Sequence, residues 1–310
     1  MILSIILSVL YLLIINYYVF NLYLGATTAD IYNYIYNINK SLQQGTVLDD
    51  KFYFYSAIIY IYSWFDFKDP FKIYVQIFSV TIFLLSYKLF LNVFHLKKRL
   101  IPFILVVLIL FTPSVFELIA SNIRSGVALV IFLYGIKSNT RLIKLILIFI
   151  SVLIHFMVLP ILSLYILFYS LKKIGIVRRS TSINILLLIF TSLTFCLITK
   201  FNFYTSGYQY GFLFSILVYF ITILFTYFYS KVIANEDGFV AIGLMFMISI
   251  SSFLDINLMR YLGVAFILYG IFIINTNNIN IIKKYTSFYF ILVIIYQIYF
   301  FRNLMFYGYI

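Results

Sequence analysis

The sequence predicts an all-α polytopic integral membrane protein with about eleven transmembrane helices, in a range of roughly ten to twelve. Three observations carry this. Of 310 residues, 65% are hydrophobic and 10% charged, whereas a soluble domain is roughly 45–50% apolar and about 25% charged. The mean hydropathy is +1.09, and the apolar residues fall in runs; about 20 in succession cross a bilayer. Lysine and arginine sit in short clusters at the ends of these runs, the pattern by which charge on cytoplasmic loops orients membrane helices. A soluble one-domain enzyme, a disordered chain and a disulfide scaffold are excluded, since none accommodates so much apolar side chain with so little charge. The net charge of +13 does not point to nucleic acid, because the cations are spread over helix ends and form no single patch. The one cysteine, Cys196, lies in an apolar run; it has no intramolecular disulfide partner and reads as a small buried hydrophobe.

Orientation follows from the clusters Lys97-Lys98-Arg99, Lys137/Arg141/Lys144, Lys172-Lys173 with Arg178-Arg179, Lys231 and Lys283-Lys284. Placing these in the cytoplasm sends Asp30, Asp49, Asp50, Asp66, Asp69, Glu117 and Asp255 outside or close to it. Only Glu236 and Asp237 then remain inside. The expected helices are 1–22, 70–94, 100–112, 114–136, 142–156, 159–171, 182–199, 212–230, 238–252, 253–274 and 285–301. The first is expected to stay uncleaved, since residues 2–15 lack a basic region before them and Gly25-Ala26-Thr27-Thr28-Ala29 is a poor cleavage site. Pro113 stops the third helix, and the S-x-x-E box Ser114-Val115-Phe116-Glu117 starts the fourth. The stretch 53–65 is too short to span and reads as a re-entrant or interfacial helix. Residues 25–52 read as a polar external loop, so that 25–69 forms one periplasmic loop with a short apolar helix within a single membrane domain, 1–310. The amino terminus is expected in the cytoplasm.

Charges inside a membrane are costly, so each one points to a cavity or a partner. Arg124 stands roughly 15 Å along the axis of a helix that starts at Ser114. Glu117, Ser121 and Arg124 are spaced i, i+4, i+7 on one face. That face suits a cation lining a polar external cavity, with an Arg–Glu or Arg–carbonyl pair that fixes packing as the alternative. Ser252-Phe253-Leu254-Asp255 resembles a second helix start, followed by Asn257 and the shallower Arg260. Two arginines at one cavity mouth suit an anionic substrate, because the guanidinium fork matches phosphate oxygens. His155 ends the run 142–155, whose legs of about 20 Å fall short of the roughly 30 Å hydrocarbon core. The turn is therefore expected to be recessed, with His155 at the bottom of an external depression. His95, beside Lys97, reads as interfacial. Asp30-Ile31-Tyr32-Asn33-Tyr34 combines a carboxylate, an amide and aromatic rings, a mixture that suits sugar and also an ordinary solvated loop. D-x-D, H-E-x-x-H, P-loop, dinucleotide-binding and G-x-S-x-G patterns are missing from the sequence, so no cofactor and no metal are expected.

These residues carry a resemblance. Asn122-Ile123-Arg124-Ser125-Gly126-Val127-Ala128, followed across a basic turn and an apolar helix by His155, resembles the core of the EpsG-like, Wzy-type polysaccharide polymerases. Asp30 with Tyr32 and Tyr34 is similar to that family's first-loop element. Ser125 stands where the family usually has glutamine, Phe156-Met157 replaces polar residues, and Asp50-Lys51-Phe52-Tyr53 lacks the family's acidic-Pro pair. The likeness covers residues 20–175 as motifs. It implies a GT-C-like helical architecture with an external cavity in the bacterial inner membrane, and an O-antigen or exopolysaccharide polymerase. Such an enzyme joins undecaprenyl-pyrophosphate-linked repeat units, donor to acceptor, on the periplasmic face. The implied catalytic residues are Arg124, His155, Glu117, Asp30 and Asp255, with Arg260, Asn122, Asn257, Tyr32 and Tyr34 binding substrate. The implied partners are the lipid-linked glycans, membrane lipid and a chain-length regulator. Two other readings stay open: a polyprenyl-phosphate-sugar-dependent glycosyltransferase, for which Asp49-Asp50 would supply the acids, and a flippase of lipid-linked oligosaccharide.

Overall fold

A computed structural model describes residues 1–18, 29–44, 69–94, 100–112, 115, 118–119, 123–176, 181–202, 234–254, 258 and 260–276. Every regular element among them is an α-helix. In chain order these are α1 (Ile2–Tyr18), α2 (Ala29–Gln44), α3 (Pro70–Phe94), α4 (Leu100–Leu110), α5 (Ile123–Ile136), α6 (Arg141–Ile154), α7 (Val158–Ile174), α8 (Thr181–Asn202), α9 (Glu236–Phe253) and α10 (Arg260–Asn275). The all-α class is as the composition predicts. The expected helices 212–230 and 285–301, the short stretch 53–65 and His95 lie outside the described residues.

Three expectations change. Among the described residues, α3 alone is long and apolar enough to cross a membrane; Ile2–Tyr17, Leu100–Leu110, Ile123–Ile136, Ser182–Ile198 and Tyr261–Asn275 are apolar but shorter. Within the stretch read as a loop, Ala29–Gln44 is the helix α2. Its Ile31, Ile35, Ile38 and Leu42 recur at helical spacing, and with Ile38 buried and Tyr36 exposed it lies amphipathically against α3. The last described helix begins at Arg260, not at 253, because the chain leaves α9 through a turn at Leu254.

The helices group into two compact units, the first holding α1–α3, α5 and α6, the second α4 from Ile104 onward and α7–α10. The units interleave in sequence, which is why no linker marks a boundary along the chain. In the first, α3 and α5 run the same way: Thr81 lies against Gly126, and the Tyr134 hydroxyl donates to the Leu84 carbonyl at 3.0 Å. The Lys88 ammonium stands 4.1 Å over the Tyr134 ring. Asn16 of α1 and Ser79 of α3 are joined through their side chains at 3.2 Å. In the second unit, Tyr165 and Tyr169 of α7 bond Asp237 and Glu236 at the start of α9, while Leu164 meets Gly243 further along. Those contacts make α7 and α9 antiparallel. Ser192 and Cys196 of α8 donate to the Gly243 and Met247 carbonyls of α9, so α8 and α9 are parallel. Cys196 is fully buried, as read from the sequence.

In α3, α5, α9 and α10 the buried residues are mainly large and apolar, whereas α1, α6 and α8 turn small or polar residues inward and apolar ones outward. In α1 the inward stripe is Ser4, Ser8, Tyr11 and Ile15, while Ile2, Leu3, Ile6, Leu10 and Leu13 are exposed. In α8 the buried positions Asn184, Leu188, Ser192 and Cys196 recur every fourth residue, with Leu186 and Phe190 outward. Ser151 is the buried residue of α6, whose Leu142 and Phe149 are 67% and 64% exposed. On these three helices serine, asparagine and cysteine sit among the inward positions while leucine, isoleucine and phenylalanine face outward.

Candidate functional site

Arg124 and His155 both belong to the α5–α6 hairpin. The turn at residues 137–140 reverses the chain, and Gly135 brings the two helices together. A Cβ on Gly135 would fall 2.9 Å from the Leu147 Cβ and 3.3 Å from the Ile148 backbone nitrogen. From that crossing, Arg124 lies roughly 16 Å back along α5 and His155 roughly 12 Å on along α6. The two residues therefore share the end of the hairpin opposite the basic turn Lys137/Arg141, within about one helical turn of each other along its length.

Arg124 is half-buried in the first turn of α5. The S-x-x-E start at Ser114 and Glu117 lies outside the described residues, and with it the depth expected for Arg124. Next to it, Ser125 is fully buried, and its hydroxyl has no hydrogen-bond partner among the described residues. Gly126 presses α5 against Ile119, whose Cα would be 3.1 Å from an added Cβ. The guanidinium presents five donors in a planar fork, the geometry of phosphate recognition.

His155 closes α6 in an extended conformation, φ −158° and ψ 125°. Its backbone N–H donates to the Ser151 carbonyl at 3.1 Å, and its carbonyl accepts from Val158 at 3.2 Å. The ring is fixed as well, because Nδ1 accepts from the Met157 backbone N–H at 2.9 Å. An imidazole whose Nδ1 is an acceptor carries its neutral-state proton on Nε2. His155 is thereby poised as a hydrogen-bond donor through Nε2. Acting as a base at Nε2 would need the proton on Nδ1 and loss of the Met157 bond.

Asp30, Tyr32 and Tyr34 fall on α2 and Arg260 opens α10, but the side chains of all four lie outside the described residues, as do Asn122, Glu117, Asp255 and Asn257 altogether. The structure thus brings together two members of the predicted set, Arg124 and His155. Among the described residues no group of three or more His, Cys, Asp or Glu gathers as a metal site.

A second polar cluster was not legible as such in the sequence. The Tyr165 hydroxyl donates to Asp237 Oδ1 at 2.6 Å, and Tyr169 donates to Glu236. Asp237 is 1% exposed. Asn235 caps α9, its side chain accepting from the Asp237 and Gly238 N–H groups at 3.0 and 3.3 Å. The available signals were the i, i+4 tyrosines and an Asn-Glu-Asp helix start before an apolar run. Tyr165→Phe leaves the Asp237 carboxylate buried without its phenol donor and is expected to cost about 1–3 kcal/mol. Unfolding of the purified protein in detergent checks this; an unchanged midpoint would show that the bond carries no stability. No protein-family model, curated protein or solved structure matches this chain.

Proposed function

We propose that this chain is a polytopic membrane glycosyltransferase of the O-antigen or exopolysaccharide polymerase kind, acting on the periplasmic side of a bacterial inner membrane. The observation that carries the reading is the α5–α6 hairpin, which brings a phosphate-type cation and a fixed imidazole donor to the end opposite its basic turn. The membrane setting is supported by α1, α6 and α8, whose outward faces are Leu, Ile and Phe while Ser and Asn turn inward, since an apolar outer surface costs nothing in lipid and small residues there allow close helix contacts. Helix directions support the orientation. In the first unit α3 runs toward Lys97-Lys98-Arg99 and α5 toward Lys137 in parallel. In the second, Lys172-Lys173 and the start of α8, after Arg178-Arg179, fall at the Glu236-Asp237 end. Among the described residues, Lys137, Arg141 and Lys144 gather at the turn end of the α5–α6 hairpin and Lys172-Lys173 at the Glu236-Asp237 end of α7, as cytoplasmic placement requires. About eleven spans remain our reading of the full chain.

In the proposed reaction the anomeric carbon of the donor glycan forms a bond to an acceptor hydroxyl oxygen as its bond to the pyrophosphate oxygen breaks. Arg124, with Arg260, holds the pyrophosphate and stabilises the charge that develops on it. His155 donates through Nε2 to the departing phosphate oxygen. The proton of the acceptor hydroxyl passes to a carboxylate, for which Asp30, Glu117 and Asp255 are the candidates. Asn122, Asn257, Tyr32 and Tyr34 are assigned to the substrate glycans. The lipid pyrophosphate is already an activated leaving group, so the reaction draws on no nucleotide. A chain-length regulator is the proposed protein partner.

The test is a gel of cell-surface polysaccharide from a strain lacking the gene, with and without the plasmid-borne wild type. A single repeat unit in the deletion strain and a restored ladder with the wild type support polymerisation. Loss of even the single unit would place the protein earlier, in assembly or flipping. His155→Asn tests the donor role. Asparagine Oδ1 can accept from Met157 in place of Nδ1, but its short amide does not reach where Nε2 stands. Stability is expected to be retained and the ladder to shorten or disappear, and a full ladder would reduce His155 to a helix cap.

A further inference from the structure

Serines inside a helix usually donate to the carbonyl three or four residues back. Ser8, Ser151 and Ser249 do so, to Ser4, Ile148 and Met245 at 2.7, 2.7 and 2.9 Å. Ser125 has no such outlet, because α5 begins at Ile123 and Ser125 is third in it. Its side chain is fully buried, and its Oγ has no hydrogen-bond partner among the described residues. Ser4, third in α1, is left in the same state, but it sits between Leu3 and Ile5, whereas Ser125 follows Arg124. The Cα–Cβ bonds of a helix tilt toward its N-terminus, so the Ser125 hydroxyl leans back to the start of α5. There the first four N–H groups have no intrahelical acceptor. On the flank at Gly126, an added Cβ would fall 3.1 Å from the Ile119 Cα and 3.2 Å from the Leu118 carbonyl oxygen. The 118–119 backbone thus lies against this turn, while Arg124 keeps half of its surface open.

We infer that Ser125 is a further anion-binding residue: its hydroxyl and the first-turn N–H groups of α5 hold one oxygen of the phosphate whose other oxygens pair with Arg124. The inference rests on the reading above and adds to it the residue and the helix end that receive the leaving group. Guanidinium, helix N–H groups and hydroxyl are all donors, and the helix dipole adds positive potential at the same end. A water molecule must donate as well as accept, whereas an oxyanion only accepts. His155, within about one helical turn along the hairpin, offers its Nε2 hydrogen to the same end. The Ser125 hydroxyl thereby supplies a fixed dipole where charge grows as the glycosidic bond breaks.

The test uses the purified full chain in detergent with inorganic pyrophosphate as the probe, and reads both the dissociation constant and the unfolding midpoint. Ser125→Ala deletes a buried hydroxyl that lacks a protein acceptor, so its ligand-free midpoint is expected to equal or exceed that of the wild type. Its affinity for pyrophosphate is expected to fall about tenfold, the loss of one hydrogen bond to a charged group. The rise in midpoint that pyrophosphate produces shrinks accordingly. Ser125→Cys, close in size and a weak donor, is expected to fall between the two, and carries the comparison where the alanine variant is not recovered. Equal affinity with and without the hydroxyl would overturn the inference, and so would a wild-type chain that binds no pyrophosphate. The polysaccharide ladder reads the other question separately. A chain that forms the ladder but binds pyrophosphate equally without the hydroxyl loses only this inference. One that binds pyrophosphate through Ser125 and forms no ladder keeps the anion site and loses the polymerase.

Discussion

Arg124→Ala, stably inserted in the membrane, is expected to abolish the polysaccharide ladder and leave single repeat units. The guanidinium is assigned to a pyrophosphate whose charge grows as the glycosidic bond breaks. Removing one fixed donor of that kind lowers turnover by about 10²–10³-fold in enzymes where it has been measured. A polymer is a product of many turnovers, so a loss of that size empties the upper ladder altogether. Arg124→Lys keeps the charge and gives up the planar fork, and is expected to restore short chains only. Because Arg124 is half-buried beside the close contact at Gly126, the measurement pairs the gel with a membrane-fraction immunoblot. A full ladder from Arg124→Ala at wild-type abundance would sink the assignment.

Gly135→Val is expected to have the largest effect on stability, and to carry the activity with it. The added Cβ would meet the Leu147 Cβ at 2.9 Å and the Ile148 backbone nitrogen at 3.3 Å. Neither atom can rotate away, so α5 and α6 must separate. Overpacking of this kind costs about 1–3 kcal/mol and occasionally more. Gly270 gives the contrast. Its Cβ would meet the Ile109 Cδ1 more closely still, but that methyl is the far end of its side chain and can shift without moving a backbone. Gly270→Ala is accordingly expected to be tolerated better than Gly135→Ala. Unfolding midpoints in detergent rank them, and an equal or reversed order would show that the hairpin contact is not rigid. If Gly135→Val also shortens the ladder, the hairpin acts by holding Arg124 and His155 at a common end.

Of the proposed site, the sequence pointed to the two residues that the hairpin brings together, for local reasons. A lone arginine and a lone histidine in apolar runs stand out by their desolvation cost, and a basic turn midway between them implies that the chain reverses. The chemistry of His155 was not legible. Whether an imidazole is base or donor depends on which nitrogen is engaged, and Met157 engages Nδ1 only because the chain turns there in an extended conformation. Nor was the Tyr165–Asp237 bond legible, since the two residues are 72 positions apart.

The amino-acid sequence by itself determined the all-α class and most helix positions. Pro70 at the start and a basic cluster beyond the end are signals within a single turn of the helix they bound, and α3 lies at the predicted 70–94. It missed α2, where asparagine and tyrosine dilute an apolar stripe that still recurs every three to four residues. It placed the start of α10 seven residues early, because an S-x-x-D box cannot show that the chain first turns at Leu254. Only the tertiary structure decided which face of each helix turns inward. In an apolar helix the few serines mark no outside and no inside. Their burial at Ser4, Ser8, Ser151 and Ser192 is set by neighbouring backbones, which approach closely only where side chains are small.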